Sequence, residues 1–148
     1  MGSVWSAEHL SLGSRVALKF LKDTVLDESE AQGRFIKEAR LSARLGESSR
    51  YITRVFDHGV LPTGVPYLVM ELLRGESLAD RLDREPRLPL PLVEHIVSQL
   101  CRALEVAHAA KVVHRDLKPA NVYLQESPED THGVSVKLLD FGVAKSTG

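Results

Sequence analysis

A chain of 148 residues that is 43% hydrophobic carries enough apolar mass for about one domain with a core, which excludes a disordered tail. Basic side chains number 19 and acidic ones 20, so the formal charge of −1 supplies no net field for nucleic acid or an anionic membrane. A single cysteine excludes an internal disulfide, six scattered histidines suggest no metal cage, and no apolar run reaches the ~20 residues of a membrane span, all of which fit a reducing cytoplasm.

Residues 3 to 21 read as two strands around a Leu12-Gly13-Ser14 turn, the second being the β-prone run Val16-Ala17-Leu18-Lys19-Phe20. Its lysine is unusual, and taken alone is well explained as an edge-strand charge that blocks aggregation. Asp27 to Leu45 predicts a helix with Phe35, Ile36, Ala39 and Leu45 on its apolar face and Gly46 as its stop. Tyr51 to Gly59 and Val65 to Leu72 predict strands, separated by Pro62, Gly64 and Pro66. Composition changes at Leu73-Arg74-Gly75, which marks a boundary between two lobes. A short helix over Ser77 to Leu82 and a proline-punctuated loop over Glu85 to Pro91 follow. Val93, Ile96, Val97, Leu100, Leu104 and Ala107 then recur at helical spacing, predicting an amphipathic helix from about Leu92 to Ala110, with Cys101 as an inert buried thiol. A polar loop at 114 to 121, a short strand at 122 to 124, a loop at Gln125 to Gly133 and a strand at Val134 to Leu139 complete the chain order.

The chemistry concentrates in His114-Arg115-Asp116-Leu117-Lys118-Pro119-Ala120-Asn121, with Asp140-Phe141-Gly142 beginning 19 residues after Asn121. Phosphoryl transfer from a nucleotide needs a carboxylate to orient the incoming hydroxyl, a cation at the moving phosphoryl, and oxygen ligands for magnesium. Asp116 suits the first task and Lys118 the second. Asn121 and Asp140 offer the hard carbonyl and carboxylate oxygens that Mg²⁺ prefers. His9, His58, His95 and His132 read as surface or turn residues, and His108 as a capping or core residue.

At these motifs the chain resembles the catalytic domain of the eukaryotic-type serine/threonine protein kinases in their bacterial form, from the end of the glycine-rich loop to just past Asp-Phe-Gly. The resemblance implies an α+β, bilobal kinase-like fold. Its N-lobe, about 1–72, would be an antiparallel sheet plus one helix, and 73–148 would begin a mainly helical C-lobe. It implies ATP as substrate, Mg²⁺ as cofactor, and a protein with Ser or Thr as the acceptor, which Lys118 two positions after Asp116 favours over Tyr. Lys19, in Val-Ala-Leu-Lys, resembles the strand lysine that meets the α- and β-phosphates, and Glu38 resembles its helix partner. By the same likeness Met70 guards the back of the adenine pocket, and the Glu71 carbonyl and Leu73 amide bond the adenine edge. Val4, Ala17 and Tyr123 sandwich the ring, although Tyr123 is a polar-tipped aromatic where the family often has an aliphatic. His114 would pack on Phe141, and Arg115 would pair with an activation-segment phosphate.

The sequence departs from the family at both ends. Only Gly2-Ser3-Val4 matches the phosphate-clamping loop, where Gly2 also fits a short N-myristoylation pattern, and the chain stops at Lys145-Ser146-Thr147-Gly148. The expectation is a kinase fragment, inactive as it stands, with the flank of its long helix uncovered. Two other readings stand beside it: a nucleotide-binding regulatory remnant, and a small-molecule phosphotransferase with a related loop.

Overall fold

A computed structural model of the chain describes residues 3–21 and 29–141. The expectations for Gly2, for the helix start at Asp27, for Gly142 and for the last residues lie outside them. The described residues separate into two compact units. The first takes the chain up to Arg44 together with Arg54–Leu73; the second takes Leu45–Thr53 together with Arg74–Phe141.

In the first unit, strands β1 (Ser3–Glu8), β2 (Arg15–Phe20), β3 (Val55–Val60) and β4 (Pro66–Glu71) form an antiparallel sheet in the order β1-β2-β4-β3. The β1–β2 turn needs Gly13, whose φ of 66° is the left-handed conformation that glycine adopts at no steric cost. Cross-strand pairs Val4↔Lys19, Lys19↔Leu68 and Ala17↔Met70 place Val4, Ala17, Lys19, Leu68 and Met70 on one face, because side chains alternate along each strand. Helix α1 (Ser29–Ser48) packs on this sheet: Phe35 and Ala39 join Leu21 and Leu68 in a core cluster, and Ile36, Val55 and Met70 close around it. The Phe35 ring meets His58 edge-on at 5.8 Å between centroids. A side chain of this size contributes roughly 1.5–3 kcal/mol when buried.

Gly46 does not stop α1, which runs to Ser48. A glycine inside a helix costs about 1 kcal/mol but ends it only where the backbone turns left-handed, and Gly46 is not among the positive-φ glycines. The expected strand from Tyr51 starts instead at Val55. The backbone of Tyr51 and Thr53 is occupied elsewhere: Leu138 N–H donates to Tyr51 O at 2.7 Å and Thr53 N–H to Leu138 O at 3.2 Å.

The second unit holds β5 (Gly75–Ser77), α2 (Leu78–Arg84), α3 (Leu90–Ala109), a 3₁₀ turn (Pro119–Asn121), β6 (Val122–Glu126) and β7 (Val134–Leu138), its strands ordered β5-β6-β7. Strand β5 was not expected, since three polar-leaning residues carry no periodicity. It exists because Gly75 lets the backbones close up: with φ at 140°, any Cβ there would collide with the Leu124 carbonyl. Ser77 then caps α2, its Oγ accepting from the Asp80 amide at 3.0 Å and donating to the Asp80 carboxylate at 2.8 Å.

Helix α3 matches the expected span and part of the expected stripe. Ile96 and Ala107 are buried as expected and are joined by Leu92, Gln99 and Ala103, whereas Val93 and Val97 are 37% and 50% exposed and Cys101 is exposed rather than buried. The reason is polar. Gln99 Oε1 accepts from Val136 N–H at 2.7 Å and His95 Nε2 bonds Val134 O at 2.8 Å, so the helix turns toward β7 the face whose side chains satisfy that strand's outer edge. His95, expected at the surface, is thus a structural ligand of a strand. No helix among the described residues is long and apolar enough to cross a membrane.

Candidate active site

The sheet unit carries the expected nucleotide-side residues. Lys19 lies on β2, an inner strand paired with both β1 and β4, which removes the edge-strand explanation for it. It is half-buried, as is Glu38 on α1, and both belong to the same unit. On Lys19's sheet face Ala17 is buried, whereas Val4 on the outer strand is 59% exposed. Met70 is half-buried against the α1 core cluster, so it has a packing role whatever else it does.

Glu71 ends β4 and makes two contacts with Arg54: its N–H donates to Arg54 O at 3.1 Å, and its carboxylate Oε1 accepts the Arg54 N–H at 2.8 Å. Leu73 follows β4 outside any helix or strand and is half-buried.

The second unit gathers the loop residues. Asn121, 7% exposed, closes the 3₁₀ turn and directs its Nδ2 to two Asp116 atoms, the backbone oxygen at 2.8 Å and carboxylate Oδ2 at 3.3 Å. Lys118 Nζ lies 3.6 Å from the same Oδ2. The Asn121 carbonyl accepts the Leu139 amide at 2.9 Å, which fixes the start of the Asp140 segment to the loop. Both Arg115 (φ 64°) and Asp140 (φ 60°) have left-handed backbones, the sharp bends that set each side chain's direction. Asp116, Lys118, Asn121 and Asp140 therefore sit in one unit, the first three in direct contact and Asp140 next to Leu139, which bonds Asn121.

His114 is 3% exposed and holds this loop together. Its Nδ1 accepts the Asp116 N–H at 3.2 Å, which leaves Nε2 to carry the proton and donate to Leu139 O at 2.5 Å. Its ring meets Phe141 at 4.8 Å, edge to face. A histidine whose two nitrogens are committed in this way is a scaffold, and proton transfer falls to another group.

Tyr123 is half-buried on β6, between Ser77 and Lys137. Burial pushes its phenol above the ordinary value of 10.0, and the Asp80, Glu126 and Glu76 carboxylates push it further the same way. Chain order conceals this acidic surround, because β5 and α2 deliver two of the three carboxylates.

The oxygen donors fit Mg²⁺. The Asn121 carboxamide commits its nitrogen to Asp116, leaving Oδ1 as a neutral hard donor, and Asp140 adds a carboxylate. Among the described residues no three His, Cys, Asp or Glu side chains gather into a metal cage.

A family model described as the protein kinase domain matches residues 1–148. Serine/threonine-protein kinase A of Synechocystis sp. is 43% identical over 154 residues, covering 98% of this chain and 29% of its own. Serine/threonine-protein kinase PknA of Mycobacterium tuberculosis is 41% identical over 150 residues, covering 99% of this chain and 33% of its own. The solved kinase domain of PknI from M. tuberculosis superposes with a TM-score of 0.79 at 32% identity, over 98% of this chain and 55% of that one. The chain thus spans 29% and 33% of the two curated relatives' lengths, and by sequence and by fold it belongs to the protein kinase domain family.

Proposed function

We propose that the protein transfers the γ-phosphoryl group of ATP to Ser or Thr hydroxyls of proteins. The carrying observation is the bonded set Asp116, Lys118 and Asn121, with Asp140 tied to it through Leu139. Asp116 accepts the proton of the incoming hydroxyl and aims its oxygen. Its own carboxylate is aimed by Asn121, and Lys118 stands within reach of the same oxygen to meet negative charge on the moving phosphoryl. Asn121 and Asp140 are the residues that would hold Mg²⁺, which neutralises phosphate charge when bound.

In the sheet unit, Lys19 serves the α- and β-phosphates and Glu38 keeps that lysine charged and aimed. Val4, Ala17 and Met70 line the purine's apolar side, and the Glu71 carbonyl and Leu73 amide read its edge. Gly2 belongs to the phosphate loop by sequence.

Radiolabelled ATP and a generic basic protein test the reading with the full-length protein. Label on Ser and Thr in the wild type, lost in Asp116→Asn, supports it. Label on a sugar or aminoglycoside alone would place the protein among small-molecule phosphotransferases, and nucleotide binding without transfer would make it a regulatory remnant.

A further inference from the structure

We propose that His95 and His132 form a two-imidazole site for a divalent transition metal of the Zn²⁺ class, which ties the turn before β7 to helix α3. The two residues come from different elements, α3 and the loop between β6 and β7, and belong to the same compact unit. Their ring centroids lie 4.9 Å apart with the planes inclined at 52°. A shared ion would set nearly that separation. With Zn–N bonds of about 2.0–2.1 Å and a ring centre roughly 1.1 Å behind each nitrogen, two imidazoles on one tetrahedral ion have centroids roughly 5.2 Å apart. Rings inclined in this way are not stacked face to face, so their in-plane lone pairs can converge.

His95 is already arranged as a ligand. Its Nε2 meets the Val134 carbonyl at 2.8 Å, and a carbonyl only accepts, so Nε2 carries the proton and Nδ1 keeps its lone pair. A far nitrogen that donates to a backbone carbonyl is the usual state of a metal-bound histidine, because the bond fixes the tautomer and raises the basicity of the other nitrogen. His132 is the third residue of a tight turn that the Gly133 amide closes on the Asp130 carbonyl at 2.9 Å. It is exposed, so its ring is free to turn either nitrogen inward. Asp130, which opens the same turn, has a buried carboxylate oxygen, Oδ2, that takes no hydrogen bond. The turn that presents His132 thus carries a negative charge suited to a cation.

The donors select the ion. Imidazole nitrogen suits Zn²⁺, Cu²⁺ and Ni²⁺, whereas Mg²⁺ keeps to oxygen, so this site does not compete with Asn121 and Asp140. Among the described residues no group of three His, Cys, Asp or Glu side chains forms, so water completes the shell. Binding is then of roughly micromolar strength or weaker, short of a closed structural zinc site.

The test is calorimetric titration of the full-length, nucleotide-free protein with Zn²⁺, in excess Mg²⁺ to fill oxygen sites, for wild type, His132→Ala and His95→Gln. His132→Ala is expected to bind Zn²⁺ at least roughly tenfold more weakly, with its metal-free melting temperature unchanged. His95→Gln keeps a side-chain N–H for Val134 but loses the imidazole, and is weakened to the same degree. With Cu²⁺ as probe, pulsed electron paramagnetic resonance should count two coordinated imidazoles in wild type and one fewer in His132→Ala.

A wild type that takes up no Zn²⁺ below about 1 mM overturns the inference, as does any smaller loss of affinity in His132→Ala. An imidazole count that is the same in both proteins overturns it too, since the metal then sits elsewhere. If His95→Gln does not fold, His132→Ala and the Cu²⁺ spectra decide. These readouts need no phosphoryl transfer, so the reading of the active site stands or falls separately.

Discussion

Asp116 is held at three points: its amide by His114, its backbone oxygen by Asn121, and its carboxylate by Asn121 and Lys118. A carboxylate fixed in this way loses little orientational freedom on reaction, which is what general-base work requires. Asp116→Asn keeps the shape and removes the base. Its kcat is expected to fall by about 10²–10⁴ while ATP still raises the melting temperature, readable by a transfer assay beside a thermal melt.

Tyr123 yields a second expectation at this scale. Its raised phenol pKa means that the folded chain keeps the proton to higher pH than the unfolded chain does. Stability is then unaffected below the unfolded value and is lost as pH climbs past about 10 toward the folded value. Urea midpoints should fall more steeply for wild type than for Tyr123→Phe between about pH 9.5 and 11. Equal slopes would show that neither burial nor the surrounding carboxylates raise the Tyr123 phenol.

Among the elements, α3 shows what periodicity captures and what it omits. The apolar spacing located the helix to within two residues and found two of its buried positions, Ile96 and Ala107, yet it missed Gln99. Gln99 and His95 are polar, and a hydrophobic pattern has no means of knowing that β7 presents an amide and a carbonyl to be satisfied. Gln99→Leu leaves the Val136 amide without its partner and should cost about 1–3 kcal/mol in urea unfolding. Ile96→Ala, at a position only 4% exposed, should cost about 2–5 kcal/mol, whereas Val97→Ala on the half-open flank should stay within about 1 kcal/mol. A reversed order would show that Val97 rather than Ile96 lies on the packed side of the helix. Strand β5 and the Tyr51–Thr53 segment escaped the sequence for a related reason: each is fixed by a partner distant in the chain, Gln125 to Tyr123 for one and Leu138 for the other. The loop chemistry was legible because His114 to Asn121 is nearly contiguous. Its internal bonds span five residues or fewer, so local order already implies proximity.

For the molecule as a whole, the near-balance of 19 basic and 20 acidic side chains makes ligand binding, rather than a global field, the means by which a polyanion is recognised. Saturating ATP with Mg²⁺ should stabilise the full-length protein by about 2.7 kcal/mol at 100 times Kd. Chelating the metal, or changing Asp140→Asn, should remove most of that shift while leaving the ligand-free melt in place. A shift indifferent to chelation would count against the oxygen set of Asn121 and Asp140.

The two left-handed backbones at Arg115 and Asp140 give this family member a particular evolutionary exposure. Glycine accepts such a bend without the steric penalty that a side chain adds, of order 1–2 kcal/mol for an ordinary residue. Mutation to glycine at either position would make the polypeptide sturdier as it made the chemistry poorer.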